Sequence, residues 1–273
     1  QIQPHSYERL RKILLNYRGI LEENKVDSVA PIATSAMRDA VNREEIINKV
    51  KEECGFEIEV LSGEDESLWS FRGAICGISK SELQGNITTL DIGGGSTELS
   101  LGLNGKRFGG TSINIGAVRI KERFLSAMDG TSVESARDFI RAELKKAFIE
   151  VFNVGKLIAV AGTPTALAAM KLKLDTFNAK KINGVILTRA EISELVKELV
   201  SSSAADILKK YPAIHANRVD ILPAGALILE EILIHLSLKE VQVSTYGLRY
   251  GVMIREFERK MQSKSDEWKI SFE

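Results

Sequence analysis

The sequence has little of the residue types that usually reveal a function by abundance: two cysteines, three histidines and five prolines in 273 residues. Cys54 and Cys76 cannot make a disulfide framework; they fit a reducing compartment and read as apolar filler. His5, His215 and His235 are scattered without metal-ligand spacing, which argues against a histidine-built zinc site. Neither sign of charge is in excess, with Lys plus Arg and Asp plus Glu at 37 each, so no global field calls for nucleic acid or a membrane surface. No apolar run approaches the roughly 20 residues that cross a bilayer, and Gln1 to Arg11 shows no signal-peptide core. These absences predict a cytoplasmic protein with no nucleic-acid or membrane partner. What is present, 44% hydrophobic and 27% charged residues, suffices for one large domain or two of moderate size.

Elements alternate along the chain. Pro4 opens a helix in which Tyr7, Leu10, Ile13, Leu14, Tyr17 and Leu21 recur at helical spacing. A buried strand is expected over Val26 to Ala33, a helix over Arg43 to Glu53 stopped by Gly55, a strand over Phe56 to Leu61 and a helix over Glu64 to Ile78. The polar stretch Ser79 to Asn86 reads as a domain boundary. Beyond it, a strand over Ile87 to Ile92 enters Gly93-Gly94-Gly95, and Ser96 to Leu103 alternates with period two. Asn104-Gly105 turns a hairpin whose return strand is Lys106 to Ile115. Later helices are expected near Gly116–Leu125, Val133–Val151, Pro164–Leu172, Arg189–Ser201 and Val219–Leu236, with strands at Leu157–Ala161 and Glu240–Ser244 and a last helix after Gly247-Leu248.

The most informative segment is Asp91-Ile92-Gly93-Gly94-Gly95-Ser96-Thr97-Glu98. Three glycines after a strand allow positive φ angles and bring bare amides together, a concavity that binds phosphate oxygens. Asp91 and Glu98 flank it, and carboxylates suit a hydrated Mg²⁺ or another divalent cation. A P-loop would need Gly-Lys-Ser/Thr, and a dinucleotide fingerprint would lead into a helix. Here the turn leads into a strand, as in the phosphate hairpin of the actin, heat-shock-70 and sugar-kinase superfamily.

The segment resembles the signature of the exopolyphosphatase and guanosine-pentaphosphate phosphatase family. Similar in turn are Ala33-Thr34-Ser35-Ala36-Met37-Arg38-Asp39-Ala40, Leu61-Ser62-Gly63-Glu64-Asp65-Glu66-Ser67, Ile113-Asn114-Ile115-Gly116-Ala117-Val118-Arg119 and Ala161-Gly162-Thr163-Pro164-Thr165-Ala166-Leu167. Arg218-Val219-Asp220 with Gly225, and Tyr246-Gly247-Leu248-Arg249-Tyr250-Gly251, complete the match.

The resemblance implies an α/β, two-domain actin-like (ribonuclease H-like) fold with an interdomain cleft. Domains are expected over residues 1–80 and 81–250, a last helix within 251–273 returning to the first. It also implies a phosphoric anhydride hydrolase acting on the terminal phosphate of polyphosphate or guanosine pentaphosphate. Glu66 would be the catalytic residue that orients the water, with Asp65 the weaker candidate. Arg38, Gly93, Gly94, Gly95, Ser96, Gly162 and Thr163 would bind substrate phosphate, Asp91 and Glu98 would bind Mg²⁺, and a homodimer would be the assembly. The family's opening strand and phosphate turn, an Asp-X-Gly-Thr/Ser-Asn-Ser-like motif, is absent from Gln1 to Val29. Tyr250 stands where the family has an acid, and Ser67-Leu68 where an arginine often follows the glutamate. These departures motivate a rival reading, a non-catalytic alarmone- or polyphosphate-binding regulator. An ATP-using kinase of the same superfamily is disfavoured by Glu66 in its matched segment.

Overall fold

In a computed structural model that describes residues 1–147 and 154–262, Pro4 opens helix α1 (Pro4–Glu23) at a position where its missing N–H costs no intrahelical bond. The chain divides into two compact units, Gln1–Glu66 and the residues from Ser67 onward. In the first unit α1 is followed by β1 (Ile32–Ala33), α2 (Ser35–Arg38), α3 (Arg43–Cys54), β2 (Glu59–Val60) and the first turn of α4 (Gly63–Ile75). α3 ends at Gly55, whose φ of 76° gives the expected left-handed cap. Tyr7, Met37, Ile46, Val50, Cys54 and Phe56 form the core, with Leu10, Leu14 and Leu21 of α1 packed against it. β1 and β2 are parallel, with Ala33 opposite Val60.

The second unit continues with β3 (Asn86–Ile92), β4 (Thr97–Leu103), β5 (Lys106–Ile113), α5 (Ala117–Phe124), α6 (Gly130–Ala147), β6 (Lys156–Val160) and α7 (Gly162–Lys171). Then come α8 (Ala179–Ile182), β7 (Ile186–Thr188), α9 (Arg189–Ser201), α10 (Ala204–Lys210), α11 (Ala216–Val219), α12 (Leu222–His235), β8 (Glu240–Val243) and α13 (Leu248–Gln262). One mixed sheet of six strands runs β5-β4-β3-β6-β8-β7. β3, β6 and β8 are parallel; β4, β5 and β7 are antiparallel to their neighbours. On one face α4 supplies Phe71 and Ala74 against Ile87, Ile158 and Val160. Leu90, Ile92, Leu99, Leu157 and Ala159 face the other way, into the larger core with α5, α6, α7, α9 and the buried α12. α12 also buries Glu230 and Glu231. Their charge is offset by Arg137, 2.6 Å from Glu230 and 2.5 Å from Glu231, and by Arg141, 2.8 Å from Glu231.

α13 packs on the part of α4 that follows Ser67. A Cβ at Gly251 would lie 1.8 Å from the Trp69 carbonyl oxygen, and Arg72 binds Glu258 with both guanidinium arms. Backbone meets backbone at Gly251, so no side chain can yield. Gly251→Ala is expected to cost about 3 kcal/mol through overpacking, a melting temperature lower by roughly 5–10 °C for a unit of this size; scanning calorimetry measures it. Among the described residues no helix is long and apolar enough to cross a membrane.

Several elements differ from expectation. The strands expected over Val26–Ala33 and Phe56–Leu61 shrink to two paired residues each. Pro31 accepts from the Glu59 N–H at 3.0 Å but has no N–H to extend the ladder. The helix expected over Val219–Leu236 is α12, which starts at Leu222 with Pro223 in its first turn, where a missing N–H costs no intrahelical bond, and the short α11 precedes it. α6 starts earlier than expected, and the expected end at Val151 falls in residues 148–153, outside the described residues, as do residues 263–273 of the last expected segment.

Candidate active site

In the second unit the site grows from β3. Asp91 pairs directly with Glu98 on β4 and is level with Val160 on parallel β6. Cross-strand partners share a face, so the two carboxylates stand side by side. Ser70 Oγ on α4 donates to Asp91 Oδ2 at 2.5 Å, and Ser112 Oγ on β5 donates to Glu98 Oε1 at 2.9 Å. Glu98 is buried, Asp91 half-buried. This all-oxygen pair fits Mg²⁺, which binds through one or two carboxylates and keeps water and substrate oxygens for the rest. No group of three or more His, Cys, Asp or Glu side chains gathers among the described residues.

The glycine turn follows at once. Gly93 N donates to Ser96 O at 2.9 Å, closing the loop. The expected positive φ angles are not found: Gly93, Gly94 and Gly95 are outside the left-handed region. The turn is shaped instead by α5. Gly93 O accepts from Ala117 N at 2.9 Å, Gly94 O from Val118 N at 2.9 Å and Arg119 N at 3.1 Å, and Gly95 O from Arg119 Nε at 2.8 Å. In a trans peptide the N–H points away from the carbonyl of the same plane. With three successive carbonyls drawn to α5, the N–H groups of Gly94, Gly95 and Ser96 are turned the other way, and none has an acceptor among the described residues. Three convergent bare amides make an anion nest. Of the expected residues, Gly93 spends its N–H on closing the loop, and the geometry comes from α5 and not from positive φ angles.

Because β6 is parallel to β3, the carboxyl ends of both strands lie together, where open α/β sheets bind ligands. Ala161 there adopts φ 76°, strained for a side chain with a Cβ, and α7 begins at Gly162. Thr165 Oγ1 donates to Ala161 O at 2.8 Å, and buried Thr163 packs against Gly225. Arg218 lies so close to Gly162 that a Cβ there would sit 1.7 Å from Nη1. The sequence placed Arg218 in a matched segment without a role; its exposed guanidinium has no hydrogen-bond or ion-pair partner among the described residues and stands beside the amino end of α7. Cys54 and Cys76 are free thiols, and burial pushes the pKa of both up, which disfavours the reactive thiolate.

In the first unit the parallel strands bring the segments after β1 and β2 together. Ser62 Oγ accepts from Asp65 N at 3.0 Å and donates to Asp65 Oδ2 at 2.7 Å, so Asp65 completes the cap of α4. Glu66, one residue on, turns inward and is 8% exposed. Arg38 Nη1 donates to Glu66 Oε2 and to Leu61 O, both at 2.9 Å. The structure thus separates the two adjacent acids: Asp65 caps, and Glu66 is the oriented carboxylate.

The site thus stands at the carboxyl end of β3 in a mixed α/β sheet, a glycine turn with bare amides beside the Asp91–Glu98 pair. The chain belongs to the Ppx/GppA phosphatase family, whose model matches residues 1–260. It is similar to a bifunctional 3-dehydroquinate synthase/phosphatase of Fusobacterium nucleatum, 31% identical over 95% of this chain and 40% of that protein. The exopolyphosphatase 2 of Mycobacterium tuberculosis is 28% identical over 92% of this chain and 82% of its own length. The crystal structure of the Aquifex aeolicus Ppx/GppA family member superposes with a TM-score of 0.79 and 28% identity over 94% of this chain and 83% of that one. The chain therefore spans less than half of the first relative and most of the other two.

Proposed function

We propose that this chain hydrolyses the terminal phosphate of a polyanionic phosphoric anhydride, inorganic polyphosphate or guanosine pentaphosphate, with a divalent cation. The observation that carries the reading is the row of three bare amides at Gly94, Gly95 and Ser96 next to the Asp91–Glu98 pair. Phosphoryl transfer asks the protein mainly for positioning and charge stabilisation. The amide nest holds phosphate oxygens, with Gly162, Thr163 and Arg218 binding further anionic oxygens at the neighbouring strand end. Asp91 and Glu98 would hold Mg²⁺, which neutralises charge developing on the transferred group. Glu66, oriented by Arg38, directs water for in-line attack, and Arg38 presents its fork to phosphate. The name of the mycobacterial relative supports polyphosphate as substrate.

The test is phosphate release from polyphosphate and from guanosine pentaphosphate by the full gene product, with Mg²⁺ and after chelation. Release that requires Mg²⁺ is expected. Tight binding of either substrate without turnover would instead favour a regulator, and release unaffected by chelation would remove the cation from the reading.

A further inference from the structure

We infer that Arg119 is a positioning residue for the anion nest: its Nε–H, and not its charge, aims the amide of Ser96 at the bound phosphate. The inference deepens the proposed function and rests on the reading of the glycine turn as the phosphate site. Every residue it uses lies in the second unit, on the glycine turn and the first turn of α5.

The amides that open α5 show why a side chain is needed. The first N–H groups of a helix have no partner within it. In α5 the amide of Ala117 goes to Gly93 O, and those of Val118 and Arg119 both go to Gly94 O. Ile120 N, the next in line, makes the first bond within the helix, to Gly116 O at 2.9 Å. All four opening amides are thereby spent, and none is left for the third carbonyl of the turn. Arg119 spans the remaining gap with its side chain, Nε donating to Gly95 O at 2.8 Å.

Each carbonyl fixes a different donor of the nest. The planar peptide ties Gly93 O to the amide of Gly94, Gly94 O to that of Gly95, and Gly95 O to that of Ser96. Main chain holds the first two, and no change of side chain takes those bonds away. The third is held by one side-chain atom. The close fit of helix and turn brings that atom within reach. A Cβ at Gly116 would lie 2.3 Å from Gly94 O and 2.5 Å from Gly95 C, so only glycine lets α5 abut the turn.

The identity of the holding atom separates position from charge. Glutamine carries its side-chain nitrogen on Cδ, the place that Nε occupies in arginine, and that nitrogen is a donor. Arg119→Gln therefore keeps the bond to Gly95 and drops the charge. Lysine has a methylene at that place, so Arg119→Lys keeps the charge and drops the bond. Methionine keeps neither. Nothing here depends on what the terminal nitrogens of Arg119 bind.

The test titrates the full-length protein and these three variants with tripolyphosphate in chelator, by calorimetry. Salt is held at about 0.15 M, where the Debye length is about 8 Å. KM for polyphosphate with Mg²⁺ and the melting temperature are measured alongside. Arg119→Lys and Arg119→Met are expected to bind about tenfold more weakly, the scale of one hydrogen bond to a charged group, and Arg119→Gln within about twofold of wild type. KM is expected to follow the same order, and melting to change little, because the bond is exposed. The opposite order, with lysine keeping affinity and glutamine losing it, would show the charge itself meeting phosphate. Equal loss in all three would show that the whole guanidinium is required, and a lower melting temperature at unchanged affinity a structural role only. Each of these outcomes overturns the inference. If Arg119→Met fails to fold, the contrast of lysine with glutamine carries the test. Wild type that neither binds tripolyphosphate nor releases phosphate defeats the reading of the glycine turn and the inference together. Wild type that does both, beside three variants that match it, defeats the inference alone.

Discussion

Glu66→Gln is expected to lower turnover by roughly 10²- to 10⁴-fold, the range supplied by a positioned general base, while substrate binding is retained. Glutamine keeps the volume, and its amide oxygen still accepts from Arg38, whose second bond, to the Leu61 carbonyl, is untouched. The substitution therefore removes the charge with little change in shape, and melting should shift by only a few degrees. Asp65→Asn is the matched control: that side chain is engaged with Ser62 at the helix cap, so it should affect stability slightly and turnover little. Steady-state phosphate release combined with calorimetric titration of substrate separates the two quantities. Full turnover in Glu66→Gln would sink the assignment.

Asp91→Asn should dissociate activity from stability in the other direction. Asp91 and Glu98 are direct cross-strand partners, and opposed like charges cost a sheet roughly 0.2–1 kcal/mol. Asparagine keeps an acceptor for the Ser70 hydroxyl, which lies 2.5 Å away, and removes one of the two charges. The melting temperature in chelator is expected to hold or rise slightly. Turnover in Mg²⁺ is expected to fall by about a hundredfold or more, because metal stabilisation of the transferred group is worth several kcal/mol. Addition of Mg²⁺ should stabilise the wild type in a thermal scan and the variant much less. A variant that melts lower in chelator and keeps its Mg²⁺ response would show that Asp91 is a structural acceptor and not a ligand.

Local chemistry was legible in the sequence, and partner-dependent geometry was not. Asn104-Gly105 predicts a tight hairpin, and both residues have positive φ, 52° and 76°, because the requirement is met within two residues. The alternation after Gly95 likewise announced β4. The two strands of the first unit were overread, since an apolar run shows that a segment can be buried but not how far a neighbour pairs with it. β7, α8 and α10 are too short for periodicity to register. At the site, the nature of the glycine turn was readable and its cause was not: the carbonyls are turned by α5, more than twenty residues on. The resemblance gave Arg38 and Glu66 separate roles, and the bond between them was not foreseen. The contacts of Arg107 with Ser67 and Ser100 had no signal, because no spacing announces that they pass over Gly110.

The strand order also dictates a timetable. β8 lies between β6 and β7 in the sheet, although β7 precedes it in the chain. During synthesis β6 and β7 leave the ribosome with an empty slot between them, and the edge of β6 at Ile158 and Ala159 waits for Gln242 and Val243. At about 5–20 residues per second, the interval between completing β6 and β8 is roughly 4–17 s. Throughout that interval the nascent chain exposes an unpaired apolar strand edge, the template on which aggregation begins. The anion nest can form early, from β3, β4 and α5 alone, but the sheet that supports it closes only when β8 has been translated.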